Sequence, residues 1–163
     1  GTGILLNNEM DDFVAKPDVA NQFGLTGGDA NAIEPGKRML SSMSPTIITK
    51  GDQPFLITGT PGGSTIITTT LQIIINVIDH QMSLEQAVSA PRFHHQWQPD
   101  AIWHGPGGIP DEAKPVLEAM GHRNISLRFR SGIGDANSIL YDADTQTIYG
   151  MKDPRRDAAA AAF

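Results

Sequence analysis

The chain has 163 residues, enough for one domain to bury its own core. Eighteen acidic residues against 12 Lys and Arg give a formal net charge of -6, and with no basic run this disfavours nucleic acid as a partner. The absence of cysteine excludes disulfides, thiolate metal sites and a cysteine nucleophile.

In chain order, the apolar Ile4-Leu5-Leu6 leads into Asn7-Asn8-Glu9-Met10-Asp11-Asp12-Phe13, three acids and two amides. That composition suits an ammonium group, a metal ion, or plain solvation. From Lys16 to Lys37, Pro17, Gly24, Gly27, Gly28, Pro35 and Gly36 interrupt every period, which predicts a long ordered loop of the kind that acts as a lid or binds ligands. Leu40-Ser41-Ser42-Met43-Ser44-Pro45 places adjacent hydroxyls before a strand. No base stands near them in sequence, so they read as turn-stabilising or ligand-binding groups rather than nucleophiles.

The β-branched runs 45–49 and 54–58, joined by Lys50-Gly51-Asp52-Gln53, predict an antiparallel hairpin. Thr60-Pro61-Gly62-Gly63-Ser64 then turns from strand into helix. Two glycines at a helix start can present unpaired N–H groups to a developing oxyanion, or make a sharp turn and nothing more. From Ser64 the apolar positions Ile66, Ile67, Leu71, Ile74, Val77 and Ile78 recur at helical spacing although their propensity is that of a strand. Thr68, Thr69, Thr70, Gln72 and Asn76 interrupt this stretch, so it is no membrane span.

Ser83-Leu84-Glu85-Gln86 fits a capping box opening a short helix that stops at Pro91. His94 and His95 point to opposite faces of an extended segment, and without further ligand spacing they predict no metal site. His80, His104 and His122 are isolated, on the surface or in caps. Residues 105–110 read as a surface connection. Asp111 to Met120 predicts a helix ended by Gly121, with Pro115 in its first turn. Strands follow at 125–129, 138–141 and 147–151, the last two joined by a turn, and 157–163 reads as a fraying end. With 17 Gly and 11 Pro the chain is rich in loops. Strands, helices and strands again predict a single layered α+β domain over residues 1–163.

Read in order, GTGILLNNEMDDF, GGDANAIEPGKRMLSSMSPTI, GTPGGSTIITT, AVSAPRFHHQW and DPRR resemble the small subunit of the γ-glutamyltransferases over essentially the whole chain. The resemblance implies an N-terminal-nucleophile hydrolase fold, a four-layer αββα sandwich made by a precursor that cuts itself into large and small subunits. It implies that Glu9 and Asp12 hold the α-amino group of a γ-glutamyl substrate, that Ser41 and Ser42 hold its α-carboxylate, and that Gly62 and Gly63 form the oxyanion hole. Residues 17–28 resemble a lid, with Phe23 where the family commonly has a gating tyrosine.

The family's nucleophile is a threonine opening the small subunit, expected some tens of residues before Gly1. Thr2 matches a position well downstream of that cleavage site. An arginine clamping the substrate carboxylate is expected from the large subunit. The resemblance thus implies γ-glutamyl transfer or hydrolysis on glutathione and related amides, with the large subunit as partner and no cofactor, metal or membrane span. It also implies export to a bacterial periplasm or medium, and inactivity of this chain alone. The competing readings are a glutaryl or β-lactam acylase and an inert glutamate-binding remnant.

Overall fold

The computed structural model describes residues 1–161, and the end of the expected fraying stretch, Ala162 and Phe163, lies outside them. Two compact units are distinguished, Gly1–Met43 and a second from Ser44 onward.

The first unit is almost free of regular structure, as its glycines and prolines require. Glu9–Asp12 form one 3-10 turn and Asp29–Asn31 another, the second within the predicted long loop. Asn31 joins the pieces. Its Nδ2 donates to the Asp12 carbonyl (2.6 Å), its Oδ1 accepts the Leu40 N–H (3.1 Å), and its own carbonyl accepts the Val14 N–H (2.9 Å).

In the second unit β1 (Thr46–Lys50) and β2 (Gln53–Gly59) form the predicted hairpin, with Ile47 opposite Ile57. β2 continues to α1 (Thr65–Ile78), followed by α2 (Leu84–Ser89). Ser83 caps α2 as the sequence indicates: its Oγ accepts the Gln86 N–H (3.2 Å) and Gln86 Oε1 accepts the Ser83 N–H (3.0 Å). β3 (Phe93–His94) and β4 (Ile102–His104) come next, then a 3-10 turn running into α3 (Lys114–Ala119) with Pro115 in its first turn and Gly121 at φ 104. β5 (Ile125–Leu127), β6 (Asn137–Asp142) and β7 (Thr147–Met151) complete the order.

Four strands form one sheet in the order β1-β2-β6-β7, all antiparallel, and three form a second in the order β3-β4-β5. The β4–β5 pair is parallel and encloses α3 as its crossover. β3 and β4 are too short and too polar to carry a strand period, and only the sheet pairing reveals them. α1 and α2 pack on one face of the larger sheet around Leu56, Val77, Leu84, Ala87 and Val88, with Ile48, Leu140 and Met151 against them. This packing holds a β-branched segment in a helix. The fold is mixed α+β, as the sequence predicts.

Three readings of the C-terminal half change. His104 is buried at 8 % exposure in β4, its Nδ1 2.8 Å from the Gly105 carbonyl oxygen. His122 is not isolated but sits edge-on to His95, with ring centroids 5.7 Å apart. Nor is the 105–110 connection wholly superficial: Gly105 is buried, and Gly108 lies so close to the Arg92 carbonyl that a side chain has no room.

Candidate functional site

In the first unit, a single 3-10 turn carries Glu9, Asp11 and Asp12 together, so three negative charges share one turn of backbone. Ser42 Oγ donates to Glu9 Oε2 at 2.9 Å across 33 residues of sequence. Partial burial, then the charge and hydrogen bond of Glu9 and the charge of Asp11, raise the Asp12 carboxyl above its ordinary 3.8. An acidic pair strained in this way is relieved by a cation, because an ammonium group cancels the repulsion that raises the pKa.

Ser41 and Ser42 part company. The Ser41 hydroxyl closes its own turn, donating to the Met43 carbonyl (2.8 Å) and accepting the Met43 N–H (3.2 Å). Ser42 alone is tied to the acids. Phe23 is presented by a tight loop built on Asn21, whose Oδ1 accepts the N–H groups of Phe23 (2.9 Å) and Leu25 (3.0 Å), and its ring is 45 % exposed. Asn31 and Asn21, which organise these two loops, escaped the sequence reading because asparagine in a Gly- and Pro-rich stretch looks like one more turn residue. Only the 19-residue reach from Asn31 to Asp12 distinguishes it.

In the second unit the Thr60–Ser64 corner joins β2 to α1. Gly62 has φ 147 and Gly63 φ 57, both in the region that favours glycine, and a Cβ on Gly62 would lie 2.5 Å from Thr65 Oγ1. The Gly62 carbonyl accepts the Thr65 N–H (3.1 Å) and Thr65 Oγ1–H (2.9 Å), and the Gly63 carbonyl accepts the Ile66 N–H (3.2 Å). Among the described residues, neither the Gly62 nor the Gly63 N–H has an acceptor. Two unengaged N–H groups at the start of a 14-residue helix can stabilise an oxyanion.

The His95, Asp100 and His122 ligand atoms lie within 4.8 Å of one another. His95 Nε2 is 3.1 Å from Asp100 Oδ1, while His95 Nδ1 accepts the Trp97 N–H at 3.1 Å. The neutral ring therefore carries its proton on Nε2, aimed at Asp100, and the lone pair a metal would need there is occupied. The group reads as a hydrogen-bonded pair with an edge-on neighbour. His94 faces the other way, 1 % exposed, with Nδ1 2.8 Å from Thr68 Oγ1 and Nε2 2.9 Å from Gln96 Oε1.

With this geometry established, comparison with known proteins gives the family. The γ-glutamyltranspeptidase family model matches residues 1–163, and the chain belongs to that family. It is 51% identical over 154 residues to the glutathione hydrolase proenzyme of Escherichia coli (strain K12), covering 94% of this chain and 26% of that protein. A mutant of Helicobacter pylori γ-glutamyltranspeptidase superposes with a TM-score of 0.87 at 52% identity, over 96% of this chain and 83% of that one. Cephalosporin acylase from Bacillus halodurans is more distant, with a TM-score of 0.74 at 30% identity over 82% of this chain and 24% of that one. The chain spans about a quarter of the length of the curated relatives it matches. Among the described residues, no helix is long and apolar enough to cross a membrane.

Proposed function

We propose that the complete protein transfers or hydrolyses the γ-glutamyl group of glutathione and related γ-glutamyl amides, and that this chain supplies substrate-binding residues and the oxyanion hole. The observation that carries the reading is the Ser42–Glu9 hydrogen bond beside an Asp12 carboxyl held above its ordinary range. Glu9 and Asp12 then hold the substrate's α-ammonium group, Ser41 and Ser42 its α-carboxylate, and Phe23 covers the pocket by bulk, since it has no hydroxyl to gate with. A threonine hydroxyl in another part of the precursor attacks the γ-carbonyl. As that bond forms, the carbonyl oxygen gains charge, which the Gly62 and Gly63 N–H groups stabilise in the transition state more than in the ground state. Collapse breaks the C–N bond, the leaving nitrogen taking the proton that the threonine hydroxyl gives up and departing as an amine, and leaves a γ-glutamyl ester, which water or an amino acid then cleaves.

The large subunit of the same precursor is the proposed partner, and relatives called proenzymes support a self-cleaving assembly. Export to a bacterial periplasm or medium goes with this reading; cell fractionation that finds the mature protein only in the cytosol rejects it.

The decisive assay gives the intact, cleaved heterodimer a chromogenic γ-glutamyl anilide, and absence of turnover rejects the proposal. The likeness to cephalosporin acylase makes glutaryl acyl transfer the second reading. Glu9→Ala and Asp12→Ala separate the two, because a glutaryl group has no ammonium for them to bind. A tenfold or greater rise in KM for γ-glutamyl but not glutaryl substrates is expected, each charge-assisted contact contributing about 1.5–3 kcal/mol. Because Asp12 titrates above 3.8, KM should also rise as pH falls through its raised value and should do so less in Asp12→Asn.

A further inference from the structure

We infer that two threonine hydroxyls, those of Thr60 and Thr65, aim the oxyanion hole by gripping the far ends of the peptide groups that carry its N–H donors; this rests on the role proposed above for Gly62 and Gly63. In a trans peptide the C=O and N–H of one plane point in opposite directions. The Gly62 N–H shares its plane with the Pro61 carbonyl, which accepts the Thr60 hydroxyl at 2.7 Å. The Gly63 N–H shares its plane with the Gly62 carbonyl, which accepts the Thr65 hydroxyl at 2.9 Å. Each hydroxyl draws a carbonyl to one side, and the N–H at the other end of the plane is thereby turned away from it. Without those grips a glycine pair has wide conformational freedom, and its two peptide planes can rotate.

The grips are themselves held. Thr60 Oγ1 accepts the Asp135 N–H at 2.8 Å, so its own proton is committed to Pro61. Asp135 follows Gly134, whose backbone at φ 75 lies so near that a Cβ would be 3.0 Å from Thr60 Oγ1 and 2.8 Å from Thr69 Cγ2. The neighbouring Ala136 N–H donates to the fully buried Asp153 carboxylate at 2.8 Å, which fixes the loop. Thr65 is 5 % exposed at the first position of α1, so water does not compete for its hydroxyl. Thr60 and Thr65 are thus positioning residues; neither hydroxyl needs to touch substrate.

The test uses Thr60→Val, Thr65→Val and the corresponding serine variants in the complete protein. The two subunits are produced as separate chains, so that self-cleavage is not required. Kinetics are measured on a γ-glutamyl anilide. Each valine variant should lose about tenfold or more in kcat, less than the roughly 10²–10³ lost when an oxyanion donor is removed outright. KM and the thermal midpoint should stay near wild type, and serine should restore kcat to within about twofold, since it keeps the hydroxyl. Wild-type kcat in both valine variants overturns the inference. So does a loss of kcat that serine does not rescue, or one that tracks a lowered thermal midpoint. A wild-type enzyme inactive on γ-glutamyl substrates but active on another acyl donor rejects the proposed function instead, and the same kcat comparison on that donor then decides the role of the threonines.

Discussion

The Arg92–Asp153–Arg155 group binds the APRF and DPRR segments into one structure. Arg92 Nη1 donates to Asp153 Oδ2 (2.8 Å) and to the Ile133 carbonyl (2.7 Å), and its Nη2 to the Val88 carbonyl. Arg155 donates to Asp153 Oδ1 (2.9 Å), shares the Val88 carbonyl with Arg92, and donates to the Ser89 and Ala90 carbonyls at the end of α2. Burial opposes the Asp153 charge, but hydrogen bonds from the Ala136 and Arg155 N–H groups and from both guanidiniums outweigh it and hold the pKa below 3.8. The stabilisation is therefore complete above pH 3.8 and lost as pH falls through the depressed value. Asp153→Ala leaves Arg92 buried without a counter-charge and should cost roughly 3–5 kcal/mol, read from urea unfolding. His94 shifts in the same direction: burial is the main cause, a Gln96 hydrogen bond opposes it, and the charges of His95 and Arg128 add to it. Stability should decline as pH falls from 6.5 toward the lowered value, and His94→Gln should flatten that slope. Asn31→Ala should raise KM with little change in kcat, because it frees the acid turn and the serine loop that Asn31 joins.

Among the elements, α1 and α2 owe their existence to different causes. α2 has six residues, too few to persist alone, and depends on its cap and on Arg155 at its end. Ser83→Ala should cost about 1 kcal/mol in urea unfolding, and Ser83→Asp much less. α1 is a helix against its own propensity, held by Ile73, 0 % exposed, and Val77 on its buried face. Ile73→Ala should cost about 2–5 kcal/mol, whereas Gln72→Ala should act chiefly by loosening β3, since Gln72 Nε2 donates to the Phe93 carbonyl and its Oε1 accepts the Phe93 N–H. The hairpin, α1 and the capping box were legible because each carries a local pattern. β3 and β4 were not, because two- and three-residue strands exist only through their partners.

At the scale of the sheets, among the described residues, α1 and α2 cover one face of the larger sheet. On the other, Ile47, Ile57 and Ile139 stand in register across three strands at 67 %, 38 % and 44 % exposure, with Ile148 at 67 %. An apolar row of this kind calls for cover, and the isolated chain should bind a hydrophobic dye or self-associate by size-exclusion chromatography, less so as Ile47→Lys. The same substitution in the complete precursor should impair assembly. By itself the sequence determined the family, the α+β class, the hairpin, the helices and the candidate acids, hydroxyls and diglycine, because these are local patterns or ordered motifs. Tertiary structure alone decided that Ser42 meets Glu9, that Asn31 reaches Asp12, that Arg92 and Arg155 share Asp153, and that His104 is buried. Apart from the local Arg155–Asp153 pair, these depend on segments well separated in sequence, and nothing in the spacing of side chains along a chain encodes which distant loops will come within hydrogen-bond range.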